Sequence, residues 1–65
     1  MSVAKVLEII AEGKTIDEAV EDAANEAAKS VRNVRSVNVD NIQALVEDGK
    51  VKKYRVNCKV TFVIE

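Results

Sequence analysis

Histidine, tryptophan and proline are absent from this chain, and cysteine occurs once, as Cys58. One cysteine excludes an internal disulfide, and the lack of histidine and of a cysteine cluster argues against a structural zinc site. No nucleophile–base pair can be assembled either, because a thiol or hydroxyl would need an activating neighbour that is missing. Tyr54 and Phe62 are the only aromatic residues, too few for a base-stacking platform. Ten basic residues nearly balance eleven acidic ones, so net charge points to neither nucleic acid nor an anionic membrane. There is no long apolar run, no signal-peptide pattern, no low-complexity tract and no internal repeat. With a lone thiol, these absences lead us to expect a soluble cytoplasmic protein. At 65 residues the expectation is one domain, 1–65, whose core only narrowly offsets the entropy of ordering. With no internal disulfide and no structural zinc site to expect, oligomerisation is the remaining source of stability.

What is present is organised around one helix, expected from Thr15 to roughly Arg32. Ile16, Ala19, Val20, Ala23, Ala27, Val31 and Val34 recur at intervals of three and four and draw one apolar stripe. The stripe is mostly alanine, which lets a helix lie close on its support. Thr15 precedes Glu18 by three positions, the spacing of a capping box. Glu18, Asp22, Asn25, Glu26 and Lys29 fill the opposite face, with acids early and Lys29, Arg32 and Arg35 late, as the helix dipole favours.

The flanking segments read as strands. Val3 to Ala11 is apolar on both faces, Leu7 and Ile9 on one and Val6 and Ile10 on the other, and Glu12-Gly13-Lys14 reads as a turn. In Ser36 to Glu47 the alternation changes parity, from Val37 and Val39 to Ile42, Ala44 and Val46, which predicts a β-bulge near Asp40-Asn41. Asp48-Gly49 signals a hairpin. Lys50 to Ile64 alternates cleanly, with Tyr54, Val56, Cys58, Val60, Phe62 and Ile64 apolar and Lys53, Arg55, Asn57, Lys59 and Thr61 polar. A three-residue loop with a bulge at Gly49 pairs Ile42 with Val56 and Ala44 with Tyr54; with the bulge near Asp40, Val39 then meets Cys58 and Val37 meets Val60, which unites the apolar residues. The expected class is α+β, with β-α-β-β order and a three-stranded antiparallel sheet carrying a single helix. A helix of about 18 residues spans about 27 Å, whereas the last two strands run to roughly 40–50 Å. Val60, Phe62, Ile64 and Val37 should therefore overhang, which together with the doubly apolar first strand predicts self-association.

Candidate chemistry is sparse. Cys58 falls mid-strand on the apolar parity and reads as a buried structural thiol. Asp17, Glu18, Glu21, Asp22 and Glu26 read as a solvated helix face, although paired acids can also bind a cation. Asp40, Asn41 and Asn38 form a second set of oxygen ligands for a hard cation at a subunit contact. Lys50, Lys52, Lys53, Arg55 and Lys59 form a basic row that reads as a solvent-facing side, or as the holder of a phosphate-bearing ligand between subunits. Gly13 and Gly49 read as turn residues outside any phosphate loop.

Taken in order, these features resemble the dodecin family: a strand, a T-x-x-E helix, a long hairpin and a closing V-x-F-x-I-E. The helix end Lys29-Ser30-Val31-Arg32-Asn33-Val34, the start Val37-Asn38-Val39 and the runs Lys53-Tyr54-Arg55-Val56 and Lys59-Val60-Thr61-Phe62 carry the resemblance across nearly the whole chain. It implies a hollow, non-enzymatic homododecamer whose sheet wraps partly around its own helix. It also implies that flavins (riboflavin, FMN or FAD) bind in pairs at subunit contacts for storage. Flavin-binding dodecins stack a tryptophan early in the second strand on the ring; that position is Ser36 here, followed by Val37 and Asn38. A glutamine in their last strand, bonding the flavin edge, corresponds to Arg55. The implied cofactor contacts are thus Ser36, Val37, Asn38 and Arg55, with flavin affinity weak or absent. The alternative is a structural assembly protein holding a cation or phosphate-bearing cofactor at its interfaces.

Overall fold

The computed structural model describes residues 2–64; Glu65 of the closing motif lies outside them. The chain runs β1 (Val3–Gly13), α1 (Ile16–Ser30), β2 (Val34–Glu47) and β3 (Lys50–Ile64). β3 lies between β1 and β2 and pairs antiparallel with both. The expected β-α-β-β class and three-stranded antiparallel sheet are therefore what the chain adopts.

The helix begins where its cap residues sit. Thr15 is extended, and its hydroxyl accepts the backbone N–H of Glu18 at 3.1 Å. The Glu18 carboxylate reaches back to the N–H of Lys14, also at 3.1 Å, one residue beyond the Thr15 N–H that a capping box uses. The helix is shorter than expected and ends at Ser30; Val31 closes it by donating its N–H to the carbonyl of Ala27 at 3.0 Å. Asn33 then takes a left-handed conformation, φ 61, which asparagine tolerates better than most residues. Its carbonyl accepts from Val63 N–H at 3.1 Å and its side-chain amide donates to the Val63 carbonyl at 3.3 Å.

The core is one alanine stripe on three strand rows. Ala19, Ala23 and Ala27 are buried against Val56, Cys58 and Val60. Pairing aligns Leu7, Val60 and Val37 in one row, Ile9, Cys58 and Val39 in the next, and Ala11, Val56 and Ile42 in the third. Four helical residues advance about 6 Å and two strand residues about 6.6 Å, so each alanine meets successive rows. Small residues are needed along this line because the helix lies so close. Gly13 shows the same constraint: a Cβ there would sit 2.6 Å from the Ala19 nitrogen. Gly13, expected in a turn, instead ends β1 and makes room for the first turn of α1.

Bulges bring the apolar residues to one side. Asp40 is the extra residue between the pairs Val39–Cys58 and Asn41–Asn57, the bulge that the change of parity requires. The expected register holds at all four named pairs. The turn differs: Asp48 and Gly49, with φ 53 and 74, form a two-residue loop of type I′. The extra residue is Lys52 on β3 rather than Gly49, and Arg35 supplies another on β2.

The larger overhang lies at the opposite end from the one expected. Because α1 runs back from Gly13 toward Val63, Val60 is fully buried in the core and Val37 packs against it, while Phe62 is half-buried; of the expected set only Ile64 is exposed, at 44%. Most of the uncovered apolar positions on this face are at the hairpin end, Ile42 (49% exposed), Val46 (64%) and Val51 (51%), while Val3 (60%) lies beside Ile64 at the other. The molecule measures 51 × 19 × 14 Å, against a helix of about 22 Å.

Candidate functional site

One face of the sheet is taken by the helix, and the other is open. On the open face successive rows across β1, β3 and β2 read Val6–Thr61–Ser36, Glu8–Lys59–Asn38, Ile10–Asn57–Asn41 and Glu12–Arg55–Gln43. β3 and β2 supply polar groups, while β1 alternates acids with the exposed apolar residues Val6 and Ile10.

This register places the expected site residues. Ser36, Asn38 and Arg55 share the open face. Val37, between the first two, points the other way and packs against the core. Ser36 pairs with Thr61, six residues along β3 from Arg55, a separation of about 20 Å. Within one chain the fold therefore puts them on one surface without bringing them into one pocket.

Arg55 is held at a definite place. Its Nε and Nη2 both lie 2.9 Å from Glu12 Oε2, while Lys53 Nζ lies 2.8 Å from Glu12 Oε1. Hydrogen bonds from Lys53 first, and from Arg55 next, hold the Glu12 carboxyl below its ordinary range. Neither Glu12 nor Gln43 was among the residues singled out from sequence. Glu12, expected in a turn, instead lies in β1, where it continues the row of Glu8 and Ile10. Gln43 follows from the register, since pairing Ile42 with Val56 and Ala44 with Tyr54 sets it opposite Arg55.

The other candidates fall into place around this face. Asp40 accepts from the Asn38 amide at 2.8 Å and lies 3.4 Å from Lys59 Nζ, so its carboxylate already has a donor and a counter-charge. Among the described residues no group of three or more His, Cys, Asp or Glu gathers as metal ligands do. Asp17, Glu18, Glu21 and Asp22 line a depression on the solvent side of the first two turns of α1, and Glu26 pairs with Lys29 at 3.2 Å. Cys58 is buried. Burial, and then the Asp40 charge, raise its thiol above the ordinary range, the reverse of what a nucleophile requires. No helix among the described residues is long and apolar enough to cross a membrane.

Comparison with known proteins agrees with this geometry. The family model described as Dodecin matches residues 3–65. No curated protein matches the sequence. Among solved structures, a point-mutant form of the Thermus thermophilus dodecin is 26% identical, with a TM-score of 0.91 over 100% of this chain and 97% of its own. The dodecin of Streptomyces coelicolor is 26% identical, with a TM-score of 0.89 over 98% of this chain and 93% of its own. The dodecin of Streptomyces davaonensis, at 22% identity and a TM-score of 0.89 over 98% and 96%, shares the fold.

Proposed function

The chain belongs to the dodecin family, and on that premise we propose that it is a non-enzymatic flavin-binding and storage protein, cytoplasmic, assembled as a homododecamer of single-domain subunits. The observation that carries this reading is the open face of the sheet. The helix covers one side only, and the other presents Ser36, Asn38 and Arg55 in rows that run the length of the subunit. Since Ser36 and Arg55 are too far apart for one ring system, a flavin touching both kinds of position is held where open faces of separate copies meet. That agrees with the family's pairing of flavins at subunit contacts.

Flavin affinity in this chain is low. Ser36 stands at the position of the stacking tryptophan, and stacking contributes about 0.5–1.5 kcal/mol beyond the area it buries, roughly up to tenfold in affinity. Arg55 replaces the neutral hydrogen-bonding amide, and a ligand must share it with Glu12. Val37 contributes from behind, by fixing the strand that carries Ser36 and Asn38.

Native mass spectrometry followed by flavin titration tests this function. Twelve chains of 7.1 kDa give about 85 kDa for a closed shell. The expected result is that mass, with flavin quenching only at high flavin concentration. A monomer or dimer overturns the assembly; a dodecamer that leaves riboflavin, FMN and FAD fluorescence untouched at any concentration overturns the ligand.

A further inference from the structure

Two cations share one carboxylate on the open face. Arg55 meets Glu12 through Nε and Nη2, and Lys53 Nζ takes the other oxygen, so the cluster keeps one positive charge. Its surroundings do not cancel that charge. The adjoining row, Ile10–Asn57–Asn41, is uncharged, and Gln43, opposite Arg55 on β2, is neutral. Glu8 stands opposite Lys59, and Asp40 lies 3.4 Å from Lys59 Nζ. That row is four residues along β3 from Arg55, about 13 Å, beyond the screening length of about 8 Å at physiological salt. Glu47 and Asp48 sit at the hairpin end with Lys50 and Lys52, and Asp22 lines a groove between β1 and α1. The Arg55 and Lys53 side chains are 40% and 52% exposed, so a ligand lying on the face reaches both.

We infer that this site selects flavin by redox state and holds the two-electron-reduced anion in preference to the oxidised ring. Arg55 determines the specificity and Glu12 positions it. The inference rests on the flavin reading above and names the form of the ligand. An oxidised isoalloxazine ring is neutral, and its edge offers carbonyl acceptors beside an N3–H donor. A glutamine amide both donates and accepts and so suits that edge; a guanidinium only donates. The reduced ring loses its N1 proton near neutral pH and spreads a negative charge over N1 and the C2 oxygen. Donors from a cation then form charge-assisted hydrogen bonds, about twice as strong as neutral ones. Ser36 acts in the same direction. An aromatic partner favours the flat oxidised ring, whereas the reduced ring folds about its N5–N10 axis and loses less when that partner is missing.

Riboflavin has no phosphate, so it isolates the charge on the ring. The assembled protein is dialysed to equilibrium against riboflavin without oxygen at mildly alkaline pH, once oxidised and once reduced with dithionite. Retained flavin is measured by absorbance after re-oxidation. The reduced form is expected to bind about tenfold more tightly, which raises the two-electron potential of bound flavin by about 30 mV. Arg55→Gln is expected to abolish the preference by weakening the reduced form and leaving the oxidised form nearly unchanged. Arg55→Lys, which keeps the charge, is expected to retain most of it; native mass spectrometry checks that both variants assemble. If wild type holds the oxidised form as tightly, or if Arg55→Gln keeps the preference, the selection by redox state is wrong and the flavin store stands. If neither form is retained, the flavin reading falls and this inference with it.

Discussion

Glu12 and Arg55 face each other across the β1–β3 ladder, and two guanidinium nitrogens of Arg55 close on one carboxylate oxygen, each at 2.9 Å. Lys53 occupies the second oxygen at 2.8 Å. Glu12, next to last in β1, thereby fixes the orientation of a guanidinium on the open face. The pairs are partly solvent-exposed, so they contribute little to stability individually; their effect is positional. A ligand that recruits Arg55 meets a side chain already held toward β1.

The Glu12 cluster gives the fold an acid-sensitive component. Its carboxyl titrates below the ordinary range when folded, so on acidification the unfolded chain takes up this proton first. The associated stability is fully present above the ordinary carboxyl value, about 4.3, and is lost as pH falls through the folded value. Glu12→Gln should flatten the decline of the urea midpoint between roughly pH 5 and 3, measured at one fixed protein concentration. Parallel profiles for the variant and wild type would remove the cluster from the pH dependence.

Gly13 should not tolerate even alanine. The added Cβ would meet the Ala19 backbone nitrogen at 2.6 Å and Glu18 atoms at 3.0 Å, and neither can swing aside as the end of a long side chain would. Forcing α1 off the sheet here resembles overpacking a core, about 1–3 kcal/mol. Equilibrium denaturation of Gly13→Ala should show this loss, whereas an unchanged midpoint would mean that the helix start can slide.

Much of this was legible in the residues, for identifiable reasons. The parity change between Val39 and Ile42 demanded an inserted residue, and Asp40 is that residue. The alanine stripe and the T-x-x-E spacing located the helix, and the hairpin register followed from uniting apolar residues. The turn differs from expectation because a loop of three residues with a bulge and a loop of two with a bulge further on, at Lys52, give the same downstream register. Most of the overhang falls at the end opposite to the one expected, because alternation records which face a residue takes, not where along the strands a short helix lies. Glu12 escaped notice for a related reason: its partners are 41 and 43 positions away, and only the β1–β3 pairing brings them together.

Cys58 should behave as an inert thiol until the fold opens. It is buried between Ile9 and Val39 in its row, and its pKa is raised by burial and then by Asp40. A maleimide or disulfide reagent at neutral pH should modify it at the rate of unfolding, and urea should accelerate the reaction. The sign in alkali is opposite to that of Glu12. The unfolded thiol ionises first, near its ordinary value of about 8.5, so stability falls as pH rises from there toward the folded value. Rapid labelling under native conditions would contradict the burial.

The sharpest check on the ligand site is to restore the two side chains that the family resemblance calls for. Ser36 is exposed on the open face, with Thr61 and then Val6 beside it in the same row, so Ser36→Trp has room for an indole without disturbing the core. Arg55→Gln replaces a charge shared with Glu12 by a neutral donor and acceptor and leaves Lys53 to hold the carboxylate. The tryptophan contributes stacking of about 0.5–1.5 kcal/mol beyond its area and the area itself in addition, so the double variant should bind riboflavin at least about tenfold more tightly than wild type. Quenching of flavin fluorescence measures this, with native mass spectrometry confirming the same assembly. Ser36→Trp alone should supply most of the gain, and Arg55→Gln alone should change affinity little while softening the acid profile described for Glu12. A double variant that assembles as wild type does and quenches no better would mean that Ser36 and Arg55 are not the residues facing the flavin.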